Sequence, residues 1–283
     1  MVDMDLSKFF DTLRHDFLIR QMRKRVTDGS ILNLVSLFLK SGVMKGEELI
    51  ETEEGSPQGG VISPLLANIY LDYFDQWTMS RGYRIVRYAD DILIFASSRK
   101  GARRRLEESR KVLEEEMGLV INREKTSIVS LDEGVTYLGV VIHSGYTRIQ
   151  DKKLRMFKAK VRAATRRNVP VNLNKIIKDL NPLIRGFAYY FRVANCTGVF
   201  EALMSWIRRR LRAIQLKQWK KPAKLHRRLR QLGYKGDFKN IKMSSWRSAR
   251  SPLANFAMPK QYFTDMGLFD MKLVKTGHSV PVI

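Results

Sequence analysis

Asp90 and Asp91 stand side by side between two apolar runs, Tyr83-Arg84-Ile85-Val86-Arg87-Tyr88 and Ile92-Leu93-Ile94-Phe95. A strand, a tight turn and a second strand would bury those flanks and leave both carboxylates at the bend. Two ionised carboxylates about 4 Å apart repel by roughly 4 kcal/mol at an effective dielectric of about 20. A divalent cation removes that cost, and hard oxygen ligands suit Mg²⁺. A plain Asp-Asp turn in water is the other reading of these residues alone.

Two-metal phosphoryl transfer needs carboxylates from separate strands converging on ions about 4 Å apart. The run Val2-Asp3-Met4-Asp5-Leu6 supplies candidates, followed by Phe9 and Phe10. Asp3 and Asp5 are both candidates for the other carboxylate, with Asp3 expected on the strand face opposite to that of Asp5, and Phe9 expected in the core. Between the two carboxylate elements lies Gly55-Ser56-Pro57-Gln58-Gly59-Gly60. Its glycines would let backbone approach a ligand closely.

These blocks, in this order, resemble the palm motifs of reverse transcriptases. Tyr88-Ala89-Asp90-Asp91 is similar to the active-site hairpin. Asp5 with an aromatic five residues on is similar to the first palm motif. The resemblance implies that Asp5, Asp90 and Asp91 are catalytic and hold two Mg²⁺. It implies that Phe10 blocks a ribose 2′-hydroxyl and that Gln58 and Gly59 meet the incoming nucleotide. Lys125 would lie near its triphosphate. Tyr88 and the Tyr137-Leu138-Gly139 hairpin would contact primer and template. Viral RNA replicases usually carry Gly where Ala89 stands.

The net charge of +24 is uneven. Residues 1–150 carry 21 Lys/Arg against 22 Asp/Glu, or −1; residues 151–283 carry 31 against 6, or +25. Such an excess on a segment rich in Tyr and Trp points to a folded module for a polyanion, and nucleic acid is favoured over membrane. No apolar run reaches the length of a span. One cysteine, Cys196, excludes a disulfide framework or a Cys-rich zinc site and fits a reducing cytoplasm.

The elements that must position these residues read as follows. Helices are expected from about Asp16, over Ile31–Lys40, and from Pro64 to about Ser80 with Ser63 as N-cap. A hairpin is expected over Val43–Thr52. A charged helix spans Gly101–Met117, with Arg103/Glu107 and Lys111/Glu115 four apart and Gly118 closing it. Strands are expected over Ser127–Leu131 and Val135–Ile142. Beyond Lys152 the pattern is helical: Lys152–Arg167, Leu183–Val193 started by Asn181-Pro182, Glu201–Gln218 and Lys224–Leu232. Gly233–Ile283 reads as a partly irregular extension.

Asn181-Pro182-Leu183-Ile184-Arg185-Gly186-Phe187-Ala188-Tyr189-Tyr190 and Trp206-Ile207-Arg208-Arg209-Arg210-Leu211-Arg212 resemble the maturase, or thumb, domain of group II intron reverse transcriptases. The resemblance implies an RNA-directed DNA polymerase that binds intron RNA and assists its splicing, taking RNA template, DNA primer and dNTP. Arg185, Arg208, Arg209, Arg210 and Arg212 are the expected RNA contacts. The family's fingers motifs before the Asp5 strand and its nuclease domain are not matched. An N-terminally truncated protein that binds RNA but extends a primer very weakly or not at all is therefore the expectation.

The expected fold is α+β: an antiparallel palm sheet backed by helices over 1–150, a helical thumb/maturase domain over 151–235, and an extension over 236–283. A homodimer stays open. The rivals are a non-catalytic RNA-binding splicing factor and a reverse transcriptase of a retron or defence lineage.

Overall fold

The structure, a computed structural model, describes residues 1–40, 43–45, 48–50, 55, 61–168, 170–236 and 249–277, with backbone alone at 43–45 and 48–50. The chain forms two compact units, Met1–Val135 and Thr136–Ile283. The mixed antiparallel-sheet and helix architecture is the expected α+β palm and helical thumb.

The first unit begins with β1 (Val2–Met4) and β2 (Leu6–Ser7), then α1 (His15–Arg23), α2 (Gly29–Lys40), β3 (Val43–Lys45) and β4 (Glu48–Ile50). It continues with α3 (Ser63–Ser80), β5 (Ile85–Tyr88), β6 (Asp91–Ile94), α4 (Arg99–Lys111), β7 (Val120–Ile121) and β8 (Ser127–Ile128). The central antiparallel sheet has the order β5-β6-β1-β8. Its register pairs Val2 with Ile94 and Met4 with Ile92. Alternation therefore gathers Val2, Met4, Ile85, Ile92 and Ile94 on one face, where they join the helical core.

That core is filled by Phe9, Leu18, Tyr70, Leu71 and Phe74, all nearly or fully buried. Each such side chain contributes about 1.5–3 kcal/mol on burial. It holds α3 beneath the hairpin formed by β5 and β6.

Several local expectations change. Ser63 is the first residue of α3, buried, and the cap position falls to Ile62. The Ile62 carbonyl accepts from Leu65 and Leu66 instead. Ser98 caps α4 by accepting from the Gly101 amide. The i,i+4 ion pairs in this region are Arg104–Glu108 and Arg110–Glu114, one position displaced from one expected pair and resting on Arg110 rather than Lys111 in the other. Gly118 closes the helix in the left-handed region, φ +70°, as its position requires.

The second unit is built from β9 (Val135–Tyr137), β10 (Val140–His143), β11 (Tyr146–Ile149), α5 (Asp151–Ala164), α6 (Leu173–Tyr190) and α7 (Thr197–Gln218). It ends with α8 (Pro222–Gln231), α9 (Pro252–Ala257) and α10 (Lys260–Asp265). The expected strand Val135–Ile142 is broken at Leu138 and Gly139, both at positive φ, into the hairpin of β9 and β10.

Asn181-Pro182 does not start a helix. Pro182 lies inside α6, whose cap is Asn172, accepting from the Lys175 amide. The buried stripe Ile176, Ile177, Leu180, Ile184 and Ala188 keeps the helical period through the proline, and this packing outweighs the lost hydrogen bond. Residues 249–277 are an integral part of this core, through Ala254, Ala257, Met258, Phe263, Leu268, Met271 and Val274. Among the described residues, no helix is long and apolar enough to cross a membrane.

Candidate active site and nucleic-acid interface

The register that buries Met4 and Ile92 leaves the other face of the sheet to carboxylates. Asp3 pairs with Leu93 and Tyr88 with Asp91, so Asp5, one step past the Met4–Ile92 pair, falls beside Asp91. Residues two apart on a strand share a face, and Asp3 lies with Asp5 and Asp91, not on the opposite side as expected. The electrostatics agree. Burial, then the charges of Asp91 and Asp5, hold the Asp3 carboxyl above its ordinary value. Asp91 is also raised, first by burial and then by Asp90 and Asp5, while Lys125 opposes the shift.

Lys125 is delivered by a local turn. The Asn122 amide donates to the Asp5 carbonyl at 2.9 Å, and the Thr126 amide to the Asn122 carbonyl at 2.9 Å. The Asn122 side chain accepts from the amides of Glu124 and Lys125. The result is a Lys125 Nζ to Asp5 carboxylate ion pair at 3.4 Å. An ammonium thus stands against a carboxylate expected to face a cation.

The turn between β5 and β6 carries Ala89 at φ +53°. A left-handed L-residue costs roughly 1–2 kcal/mol. Tyr88 is exposed, on the same face as Asp91. Phe10 lies in a short 3₁₀ turn, Phe9–Asp11, partly buried and edge-on to Phe9, which is in the core as expected.

Gln58 and Gly59 lie outside the described residues. The glycine before them is informative. Gly55 has φ +91°, and a Cβ there would come within 2.9 Å of the Asp11 carbonyl and 3.0 Å of that of Phe10. Its amide donates to the Leu13 carbonyl at 2.7 Å, and its own carbonyl lies 2.6 Å from His15 Nε2. His15 and Gly55 thereby brace the backbone that carries Phe10. His15 was not singled out by sequence; Gly55 heads the Gly-rich block, and the close approach it permits is to the chain's own Phe10 and Asp11 carbonyls.

Does this carboxylate set fit a metal? Among the described residues, no group of three or more His, Cys, Asp or Glu side chains could hold an ion by itself. Mg²⁺ keeps several waters and takes one or two carboxylates plus substrate phosphates, not a closed protein cage. Asp5 beside Asp91, with Asp90 next in the turn, is a donor set of that kind.

In the second unit the expected RNA contacts separate by burial. Arg212 is buried, donates Nε to the Met258 carbonyl at 2.8 Å and lies over the Phe263 ring. Arg208, 11% exposed, faces Asp270 at 3.9 Å. Arg210 donates to the Thr165 hydroxyl at 2.6 Å and carbonyl at 2.9 Å, and stacks on Trp206. Burial of an arginine without partners is costly, and Arg210 and Arg212 turn donors inward while Arg208 faces Asp270. Arg209 and Arg185 are exposed, the latter over Phe269. Tyr189 and Tyr190 are also exposed. Tyr190 donates to the Leu138 carbonyl at 2.9 Å, in the Tyr137-Leu138-Gly139 turn.

Residues 1–142 match the family described as reverse transcriptase (RNA-dependent DNA polymerase). Residues 154–233 match the group II intron, maturase-specific domain. Protein YkfC of Escherichia coli is 31% identical over 49% of this chain and 45% of its own length. The putative COX1/OXI3 intron 2 protein of Saccharomyces cerevisiae is 27% identical over 64% and 28%, respectively. The group II intron-encoded protein LtrA of Lactococcus lactis subsp. cremoris is 37% identical over 28% and 13%. The chain spans less than half the length of each of these relatives. Reverse transcriptases generally use divalent metal and bind nucleic acid, and with a palm module followed by a maturase-specific module the chain belongs to the reverse transcriptase family, in its group II intron-encoded branch.

Proposed function

We propose that the chain is an RNA-directed DNA polymerase that also binds intron RNA and assists its splicing. Its palm lies in residues 1–150, its thumb/maturase domain in 151–235 and an extension in 236–283, of which residues 249–277 complete the second core. The observation that carries the reading is the meeting of Asp5 and Asp91 on one sheet face, beside Asp90, with the Asp91 carboxyl raised by burial and by its acidic neighbours.

Asp5, Asp90 and Asp91 would hold two Mg²⁺. Bound there, the metal would activate the primer 3′-hydroxyl for attack on the dNTP α-phosphate and stabilise charge as pyrophosphate leaves. Lys125 neutralises Asp5 before metal arrives and is then free to meet a triphosphate oxygen. Phe10, whose backbone carbonyl packs against Gly55, would exclude a 2′-hydroxyl. The Tyr137-Leu138-Gly139 turn and Tyr88 contact primer and template. Arg209 and Arg185, with Tyr189, supply phosphate contacts and stacking surfaces for RNA. Arg208, Arg210 and Arg212 shape that surface from within.

The test is Asp90→Asn combined with Asp91→Asn in the full chain. Mg²⁺-dependent primer extension on an RNA template is lost, while RNA affinity changes by less than about tenfold, or roughly 1.4 kcal/mol. A larger fall in affinity would refute the separation of synthesis from RNA binding.

A further inference from the structure

An arginine on the inward face of a half-buried strand requires partners, because a desolvated charge without hydrogen bonds is strongly disfavoured. Arg87 is such a residue. In β5, Ile85 and Arg87 are partly buried, while Val86 and Tyr88 are exposed. Its side chain is 11% exposed and faces Asp75, itself 20% exposed, on α3.

The guanidinium makes a fork and a bridge. Nε donates to Asp75 Oδ1 at 2.8 Å, and one terminal nitrogen donates to Asp75 Oδ2. The other terminal nitrogen donates to Asn68 Oδ1 at 3.1 Å and to the backbone carbonyl of Ala89 at 3.1 Å. Asn68 and Asp75 are seven residues apart, two helical turns, so they share one face of α3. One side chain therefore ties two turns of α3 to the carbonyl at the tip of the hairpin. That tip is the residue at φ +53°, immediately before Asp90 and Asp91. An Asp-paired arginine suits the task, since its planar fork fixes direction as well as charge.

We propose that Arg87 is a positioning residue for the metal-binding carboxylates. With Asp75 and Asn68 it holds Ala89 in the left-handed conformation that aims Asp90 and Asp91 together onto the sheet face of Asp5. The inference rests on the reading that these carboxylates bind divalent metal. It makes a specific claim beyond that: the Arg87 contact serves the turn, not only the core.

Glycine at position 89 separates the two, because it occupies the left-handed region without a Cβ penalty. The experiment measures Mn²⁺ affinity of the full 283-residue chain by electron paramagnetic resonance. Arg87→Gln is combined with Asp75→Asn, so that no buried charge is left unpaired. This pair weakens Mn²⁺ binding about tenfold. Adding Ala89→Gly restores it to within about threefold of the native chain, and Ala89→Gly alone leaves it within about twofold. Asn68→Ala, which removes one anchor and no charge, weakens binding about threefold and serves if the paired variant does not fold.

A purely structural role gives a different pattern. Native Mn²⁺ affinity in both the paired variant and Asn68→Ala would overturn the proposal. So would a loss that Ala89→Gly fails to recover. Native Mn²⁺ affinity in an Asp90→Asn control would instead overturn the metal reading itself, and the positioning role with it.

Discussion

Replacing Asp91 by Asn should stabilise the metal-free protein. Asp91 opens β6 next to Asp90, one step past the Met4–Ile92 pair and so near Asp5, and its carboxyl is held above the ordinary value by burial and by both neighbours. Antiparallel neighbours stand about 4.5–5.5 Å apart at Cα. Two unit charges about 5 Å apart repel by about 0.8 kcal/mol in water and about 3 kcal/mol at an effective dielectric of about 20. Asp91 is exposed, which favours the low end, and Lys125 offsets part of the repulsion. A gain of about 1 kcal/mol follows, or about 2–4 °C in melting temperature.

The sign with pH is fixed by linkage. A carboxyl whose folded pKa is raised binds its proton more tightly in the folded state. Stability is then lost as pH rises from the ordinary Asp value through the raised one. Asp3 shifts in the same direction. The advantage of Asp91→Asn is therefore full above that window, near pH 7, and shrinks as pH falls toward about 4. If the carboxylates hold Mg²⁺ as proposed, the ion should stabilise the folded native chain by mass action, and the variant much less. Differential scanning calorimetry at several pH values, with and without Mg²⁺, measures all of this. A variant that melts below the native chain at pH 7, or that keeps the full Mg²⁺ response, would refute the reasoning.

Three further outcomes follow from the same structure. RNA binding by the full chain should be steeply salt-dependent; if six to ten phosphates are neutralised, filter binding should lose about 10³–10⁵ in affinity between about 50 and 200 mM salt, and a flat response would exclude a backbone-tracking surface. Arg212→Ala should destabilise by about 1–3 kcal/mol in thermal denaturation, because it removes buried packing and leaves the Met258 carbonyl without its donor, whereas Arg209→Ala should leave stability within about 0.5 kcal/mol and weaken RNA binding. Phe10→Ala should raise rNTP relative to dNTP incorporation, and an unchanged ratio would remove Phe10 from sugar selection.

The carboxylate site was legible because its signals are local. Asp90-Asp91 lies between two apolar runs with strand character, and the hairpin forms there. Asp5 follows from a second run of alternating apolar residues. Asp3 was misplaced although the same alternation, period two, puts it beside Asp5. Asn181-Pro182 has the local character of a helix start. The apolar stripe Ile176–Ala188 that carries the helix through it acts over about three and a half turns, and such packing overrides a local preference. Arg212 shows a different limit. Charge in sequence does not report burial, and an arginine run of one sign hides which members turn inward on a helix. Arg87 left a readable trace, as a cation at an inward position of a strand, but its partners Asn68 and Asp75 come from another element. The Tyr137-Leu138-Gly139 turn was expected both as part of a strand and as a hairpin, and the positive φ of Leu138 and Gly139 decides for the hairpin.

Asp5 is the residue on which the account turns, since it comes from a separate strand and meets the Asp pair only through the fold. Single-turnover extension of a DNA primer on an RNA template, with the full chain in excess over primer–template, tests it most directly. The account predicts slow, templated, Mg²⁺-dependent dNTP incorporation by the native chain and none by Asp5→Asn, with primer–template affinity preserved in both. Incorporation that survives Asp5→Asn, or none by the native chain at saturating Mg²⁺ and dNTP, would contradict it.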